Sequence, residues 1–127
     1  MKTHYIVTLS ILTGIVVGAA ANQTLHAQAK PPVYMIALNE VSNPDGYRND
    51  YLPPAQKSIK EHGGVYVVAG PGTMIDGTLP KGRVVVIRWE SMEALKGWRY
   101  SPEYMAARKI GESYAKYNVV AVDGVQQ

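Results

Sequence analysis

The sequence predicts an α+β domain in which one antiparallel sheet carries helices on one face. Four apolar runs of strand length are rich in valine, isoleucine and tyrosine: 33–38, 65–69, 83–90 and 117–122. Two stretches between them, 44–62 and 92–110, repeat apolar residues at helical spacing. The predicted element order is therefore β-α-β-β-α-β.

The first strand and the first helix are bounded by characteristic residues. The strand at 33–38 stops at a polar pair, and Asn43 then offers an N-cap with Pro44 at the first helical position. We expect Pro53-Pro54 to kink or restart the helix, with Pro54 opening its second half. A proline removes a backbone donor and disfavours helical geometry in the residue before it. Gly63-Gly64 ends the helix as a C-cap pair.

The second half of the chain predicts a hairpin, two helical pieces and a last strand. Gly70-Pro71-Gly72 forms a turn after the second strand, and we expect residues 73–75 to add a short strand. Ser91 caps a short helix, and Ser101 caps a second helix that runs through Ile110. The complete order matches the split arrangement of ferredoxin-like folds.

The amino-terminal segment, residues 1–29, has the layout of a secretory signal peptide. Lys2 precedes an apolar stretch at 6–21, and Ala27-Gln28-Ala29 fits an A-x-A cleavage site. Cleavage there leaves one domain, residues 30–127, of a size that can bury a single core. We therefore expect a periplasmic or secreted protein with no stable membrane span after cleavage. The alternative is a retained anchor, although the apolar stretch is shorter than the roughly 20 residues that a span needs.

The strands also predict how the protein assembles. Val84 and Val86 point to the opposite face from Val85 and Ile87, so this strand is apolar on both faces, and the last strand repeats the pattern. Two helices cover only one face of a sheet, and an uncovered apolar face needs a partner. We expect a homodimer that packs sheet against sheet. The alternative is that the carboxyl-terminal tail covers the face.

Composition argues against several classes of site. The chain has no cysteine, and His62 is the only histidine after the signal segment. Zinc, copper and non-haem iron sites generally use two or more such ligands, so we expect no metal and interpret His62 as a helix-end residue that contacts exposed carbonyls. Basic and acidic residues nearly balance and are interspersed after the signal segment, without the clustered lysine and arginine of a nucleic-acid surface. Gly70-Pro71-Gly72-Thr73 lacks the lysine of a phosphate loop, and we expect no cofactor.

The candidate site is aromatic and basic. The chain has nine tyrosines, two tryptophans and no phenylalanine, so its core must provide partners for hydroxyl and indole groups. Tyr104 and Arg108 lie one helical turn apart and could both face a cleft between helix and sheet. We expect Tyr51 opposite them on the first helix and Trp98 at the rim, which together form a small ligand pocket. The alternative is a packed aromatic core with surface arginines.

Several motifs resemble those of one known family. The strongest are R-V-V-V-I-R-W-E-S-M-E-A-L at 83–95 and W-x-x-S-P-E-Y-x-x-A-R at 98–108. Residues 34–37, Asn43-Pro44 and Gly63-Gly64 join them. Together these segments are similar to the domain-of-unknown-function 1330 family of the dimeric α+β-barrel superfamily. The resemblance implies a ferredoxin-like chain that pairs with a second copy, and it implies no agreed activity.

Three hypotheses about function stay open at this point. The first is binding of a small, partly aromatic or anionic molecule between helices and sheet, with an arginine holding the anion. The second is a cofactor-free oxygenase or isomerase, a kind of enzyme found elsewhere in the superfamily, with aromatic residues and arginine positioning an electron-rich substrate. The third is a structural or stress-related partner without a pocket. A cavity that contains Tyr51, Tyr104 and Arg108 would argue against the third.

Overall fold

The computed structural model describes residues 30–79 and 82–126, and the predicted signal segment 1–29 lies outside them. The strands are β1 Val33–Val41, β2 Val65–Pro71, β3 Gly82–Trp89, β4 Ala115–Lys116 and β5 Val119–Asp123. The helices are α1 Pro44–Gly46, α2 Leu52–Glu61, α3 Met92–Arg99 and α4 Pro102–Gly111. One antiparallel sheet runs in the order β2-β3-β1, with β4 and β5 both paired to the far side of β1. The predicted α+β class is confirmed.

The central strand β1 decides which face the helices cover. Its residues alternate, and the buried set is Val33, Met35, Ala37 and Asn39. The register with β3 places Trp89 opposite Val33, so the buried side chains of both strands share one face. Helices α2, α3 and α4 pack on this face, and the hydrophobic core lies between them and the sheet.

The first helical segment is interrupted one turn earlier than predicted. Asn43 Oδ1 accepts a hydrogen bond from the Gly46 N–H at 3.0 Å, as a cap should. The interruption is a π-helical turn at Tyr47–Tyr51, and α2 restarts at Leu52 rather than at Pro54. The proline pair thus occupies the first turn of α2, where a missing N–H leaves no helical hydrogen bond unmade. The π-helical turn places both of its tyrosines in the core.

The predicted caps of the later helices are confirmed, but the predicted strand at residues 73–75 is wrong. Ser91 Oγ accepts from the Ala94 N–H at 3.1 Å, and Ser101 Oγ accepts from the Tyr104 N–H at 3.2 Å. Strand β2 ends at Pro71 and the chain then leaves the sheet. A proline cannot donate to a strand ladder, so the pairing stops there.

The last strand is split in two where one strand was predicted. Asn118 stands between β4 and β5, and its side-chain Nδ2 donates to the Leu38 carbonyl at 3.1 Å. Its backbone N–H donates to Asn39 Oδ1 at 3.3 Å. Side-chain hydrogen bonds therefore replace part of the backbone ladder at this position.

The second face of the sheet is apolar and open. Val120 and Val122 of β5 are 55% and 49% exposed, and Val65 and Val68 of β2 are 47% and 46% exposed. The described carboxyl-terminal residues, which end at 126, leave these valines accessible, so the predicted alternative of a covering tail is wrong for this part of the chain. Within residues 30–79 and 82–126, no helix is long and apolar enough to cross a membrane.

Candidate functional site

A cavity of about 300 Å³ lies between the helices and the covered face of the sheet. Its floor comes from β1, β3 and β5 and is apolar apart from Asn39. Six aromatic residues stand in its walls: Tyr47, Tyr51, Trp98, Tyr100, Tyr104 and Tyr117. A concave, mostly apolar space with a few polar groups is the usual form of a small-molecule site.

Two tyrosine hydroxyls meet inside this cavity. The hydroxyl oxygens of Tyr51 and Tyr104 are 2.7 Å apart, and the two residues are only 5% and 2% exposed. Burial, followed by the neighbouring Tyr104, raises the pKa of Tyr51 well above its ordinary value of 10.0. The Tyr51 hydroxyl is therefore protonated at neutral pH.

Trp98 forms a wall of the cavity rather than its rim, and its predicted position is corrected here. It is 2% exposed, and its indole Nε1 donates to Ser58 Oγ at 3.0 Å. Its ring lies 4.0 Å from the ring of Tyr104 and 5.1 Å from that of Trp89. The hydrogen bond fixes the indole plane, so the Trp98 ring is held in place beside the cavity.

Arg108 is held partly inside the protein. Its guanidinium carbon lies 3.6 Å from the centre of the Tyr117 ring, a cation–π arrangement. Its side chain is 19% exposed and pairs loosely with Glu112, with 3.6 Å between Nε and Oε1. This distance exceeds that of a good hydrogen bond. The arginine is therefore oriented by stacking more than by its carboxylate neighbour.

The structure brings together all four residues predicted as ligand-binding, since Tyr51, Trp98, Tyr104 and Arg108 all line the one cavity. The presence of this cavity argues against the hypothesis of a structural partner without a pocket. Their role in binding stays a prediction.

The predicted site did not include several further polar residues in the walls: Asn39, Tyr47, Lys96, Arg99, Tyr100 and Tyr117. Asn39 was detectable, because it is the polar residue in an otherwise apolar inward-facing series on β1. Lys96 and Arg99 flank Trp98 on α3, but their spacing is equally typical of a solvated helix face.

His62 behaves as predicted. Its Nδ1 donates to the Ser58 carbonyl at 2.8 Å, one of the last carbonyls of α2. Across the described parts of the chain, no group of three or more histidine, cysteine, aspartate or glutamate side chains is placed to hold a metal ion.

Comparison with protein families identifies the chain. The model of the family described as domain of unknown function, DUF1330, matches residues 32–125. The chain belongs to the DUF1330 family. This agrees with the resemblance carried by the motifs at 83–95 and 98–108.

Solved structures share the fold of this DUF1330 chain at low sequence identity. A protein of unknown function from Rhodopseudomonas palustris is 17% identical, with a TM-score of 0.62, over 85% of this chain and 94% of that one. A conserved protein of unknown function from Bacteroides thetaiotaomicron is 14% identical, with a TM-score of 0.56, over 76% and 100%. SnoaB, a cofactor-independent oxygenase from Streptomyces nogalater, is 12% identical, with a TM-score of 0.56, over 76% and 96%. The curated proteins give no match. At these identities the likeness concerns the fold alone, which is the ferredoxin-like α+β architecture.

Proposed function

We propose that this protein is an exported, dimeric binding protein that holds a small molecule in its aromatic cavity. The observation that supports the proposal most is the cavity itself, about 300 Å³ in volume with six aromatic residues in its walls. An aromatic core that only stabilised the fold would be packed to the density of a protein interior, without a space of this size. The aromatic walls and the few polar groups instead provide surface and orientation for a ligand.

Tryptophan emission offers a direct test of binding. Trp98 lines the cavity, and the ring of Trp89 packs against the ring of Trp98. A ligand that enters the cavity should therefore change the fluorescence of the purified chain. We expect saturable binding from a panel of small aromatic and aliphatic compounds. Ala121→Leu should abolish it, because Ala121 lines the cavity and a larger side chain would fill it.

A matched control separates a filled cavity from a damaged fold. Ala106→Leu adds the same atoms on α4 at an exposed position, so it should leave binding unchanged. Circular dichroism checks that both variants fold. Equal binding by the Ala121→Leu variant and the unmodified chain would contradict the cavity as the site.

The open face of the sheet supports the dimer. Val120 and Val122 lie on it beside Ile36, and the register places Val86 on the same face. Exposed apolar surface of this extent generally marks an interface. A second copy offers the same apolar face, and an isologous contact is the commonest way for soluble proteins to form dimers.

Light scattering on a size-exclusion column tests the dimer. Val122→Glu should convert a dimer into a monomer, since it buries a charge in the proposed contact, and Val122 is absent from the cavity walls. Met105→Glu is the matched control, because Met105 is 52% exposed on α4 and lies outside the sheet. A monomer in the unmodified chain, or an intact dimer in the Val122→Glu variant, would contradict the assembly.

Export is proposed from the composition of residues 1–29. The intact mass of the protein recovered from the extracytoplasmic fraction should correspond to a chain that begins at Lys30. A mass that includes Met1 in every fraction would contradict cleavage and leave a retained anchor.

A catalytic use of the same cavity, as a cofactor-free oxygenase or isomerase, is the second candidate. The hydroxyl pair of Tyr51 and Tyr104 favours it, because buried neutral donors can stabilise an oxyanion that develops on a substrate. The described cavity walls contain no carboxylate or histidine that could act as a base, which favours binding over catalysis. Oxygen uptake with electron-rich aromatic substrates would support the enzyme if Tyr104→Phe abolished it without loss of stability. An absence of turnover leaves binding as the function.

A further inference from the structure

The walls of the cavity are positively charged. Lys96, Arg99 and Arg108 line it, and among the residues that the structure describes no aspartate or glutamate joins them. The carboxylate paired with Arg108 is Glu112, whose side chain is 62% exposed and whose Oε1 is 3.6 Å from Nε. Because water screens a largely exposed carboxylate, Glu112 offsets little of the positive charge of Arg108. The cavity therefore favours an anion.

The hydroxyl groups in the walls keep hydrogens that are free to donate. A pair of hydroxyls shares one hydrogen, so the pair of Tyr51 and Tyr104 keeps a second hydroxyl hydrogen. The Tyr47 hydroxyl accepts from Asn39 Nδ2 at 3.4 Å, which leaves its own hydrogen free to donate. Asn39 Oδ1 is already engaged, because it accepts from the backbone N–H of Asn118 at 3.3 Å. A ligand with oxygen acceptors can therefore pair with these hydrogens.

The tyrosine hydroxyls keep these hydrogens at neutral pH. Burial raises the pKa of Tyr47, although the hydrogen bond from Asn39 opposes the shift. Burial also raises the pKa of Tyr51, and the neighbouring Tyr104 adds to the effect. Neither hydroxyl therefore acts as a base at neutral pH, and each keeps its hydrogen for a hydrogen bond.

Arg108 is prepared to receive a carboxylate. Its guanidinium stacks at 3.6 Å on the Tyr117 ring, and the side chain is mostly buried. Its Nε is buried without a hydrogen-bond partner in the described part of the chain. A guanidinium that is removed from water and only partly paired is strongly stabilised by an incoming carboxylate. It can bind the carboxylate with two parallel hydrogen bonds.

The size and the aromatic walls of the cavity favour a small aromatic molecule. At about 300 Å³ the cavity lies at the small end of ligand sites. The rings of Trp98 and Tyr104 lie 4.0 Å apart at an interplanar angle of 37°, and both form part of its wall. Aromatic walls stack favourably on a planar ligand.

We infer that the cavity binds a planar carboxylic acid of about one or two rings that carries a second oxygen acceptor. Arg108 holds the carboxylate, and the hydroxyls of Tyr47 and of the Tyr51–Tyr104 pair donate to the second oxygen. Lys96 and Arg99 attract the anion from solution. The inference rests on the proposed binding function and narrows it from small molecules in general to acceptor-rich acids.

A pair of nearly isosteric probes tests the charge. 6-Methoxy-2-naphthoate, whose ether oxygen is the second acceptor, and its neutral amide, called naphthoate and naphthamide below, are titrated into the purified full chain at low salt and followed by ligand-observed NMR and calorimetry. We expect naphthoate to bind about tenfold or more tightly than naphthamide, the effect of a hydrogen bond to a charged partner. Added salt should weaken the binding of naphthoate and leave the binding of naphthamide nearly unchanged.

Two variants locate the charge. Arg108→Gln should reduce naphthoate affinity about tenfold or more and spare naphthamide. Lys109→Gln removes the same charge from the next position of α4, on an exposed side chain that is absent from the cavity walls, and should change neither affinity. If the Arg108→Gln variant fails to fold, Arg99→Gln replaces it, with a smaller expected loss that is also confined to naphthoate.

The outcomes distinguish the two levels of the proposal. Equal binding of acid and amide, or equal losses for both probes in the Arg108→Gln variant, would overturn the acid class and leave the cavity as a binding site. Failure of both probes to bind the unmodified chain would overturn the acid class as well as the binding function. The role of Arg108 would be overturned if the Arg108→Gln variant still bound naphthoate more tightly than naphthamide and the Lys109→Gln variant did not.

Discussion

The two faces of the sheet are made by the same strands and yet differ in chemistry. The covered face carries Trp89, Met35 and Asn39, and the helices add aromatic rings with hydrogen-bonded tips, such as Trp98 on Ser58. The open face carries mainly β-branched aliphatic side chains from β1, β2, β3 and β5. The covered face therefore holds most of the polar groups that can orient a ligand, whereas on the open face the register places Tyr34 opposite Arg88 at one end of the sheet.

The two faces of the sheet suit different kinds of contact. A surface made mainly of valine and isoleucine provides area but little specificity for an unlike partner, so a second copy of the same surface is its natural complement. The covered face combines rigid rings, placed hydroxyls and cations, which are the elements of small-molecule recognition. The proposed assembly and the proposed binding thus use opposite faces of one sheet.

The largest expected effect comes from deleting an aromatic side chain on the covered face. Trp89 is 1% exposed, so Trp89→Ala should lower the free energy of unfolding by about 3–5 kcal/mol. Val122→Ala on the open face, where the side chain is 49% exposed, should cost below about 1 kcal/mol in the dilute chain. Urea denaturation at low protein concentration compares them. Similar losses in the two variants would erase the distinction between the faces.

A smaller effect should follow from adding one methyl group beneath α4. A Cβ at Gly111 would lie 2.6 Å from Cδ2 of Tyr51 and would also meet the Tyr117 hydroxyl. Gly111→Ala should therefore cost about 1–3 kcal/mol and weaken ligand binding, because both rings line the cavity.

Gly97 in α3 provides the matched control for this substitution. Nothing lies within 4 Å of a Cβ built there, so Gly97→Ala should stabilise the helix by about 0.5–1 kcal/mol. Thermal unfolding measures both changes. Stabilisation by Gly111→Ala would contradict the close packing of the cavity wall.

The third effect is a dependence of stability on high pH. Burial and Tyr104 raise the pKa of Tyr51 above 10.0, so the folded chain keeps a proton that the unfolded chain loses at high pH. This contribution to stability is fully present below about pH 10 and is lost as the pH rises above it, by about 1.4 kcal/mol per pH unit for one such group. Tyr51→Phe should flatten that decline, whereas Tyr100→Phe, at an exposed position, should not. An unchanged slope in the Tyr51→Phe variant would contradict the burial of its hydroxyl.

Much of the fold followed from local signals. The caps at Asn43, Ser91 and Ser101 were predicted correctly because capping depends on a few neighbouring residues. The positions of the helix interruption and of the last strand were predicted less well. The π-helical turn at Tyr47–Tyr51 and the break at Asn118 depend on packing and on hydrogen bonds to residues far away in sequence.

The sequence by itself determined the α+β class, the two apolar faces of the sheet, and the four residues Tyr51, Trp98, Tyr104 and Arg108 as one candidate site. These follow from periodicity and from residue types, which are properties of short segments. Tertiary structure decided that the four line a single cavity, that Trp98 forms its wall, and that Lys96 and Arg99 join Arg108 around it. The charge of a cavity depends on which side chains converge across the fold, and the spacing of residues along one helix does not specify that convergence.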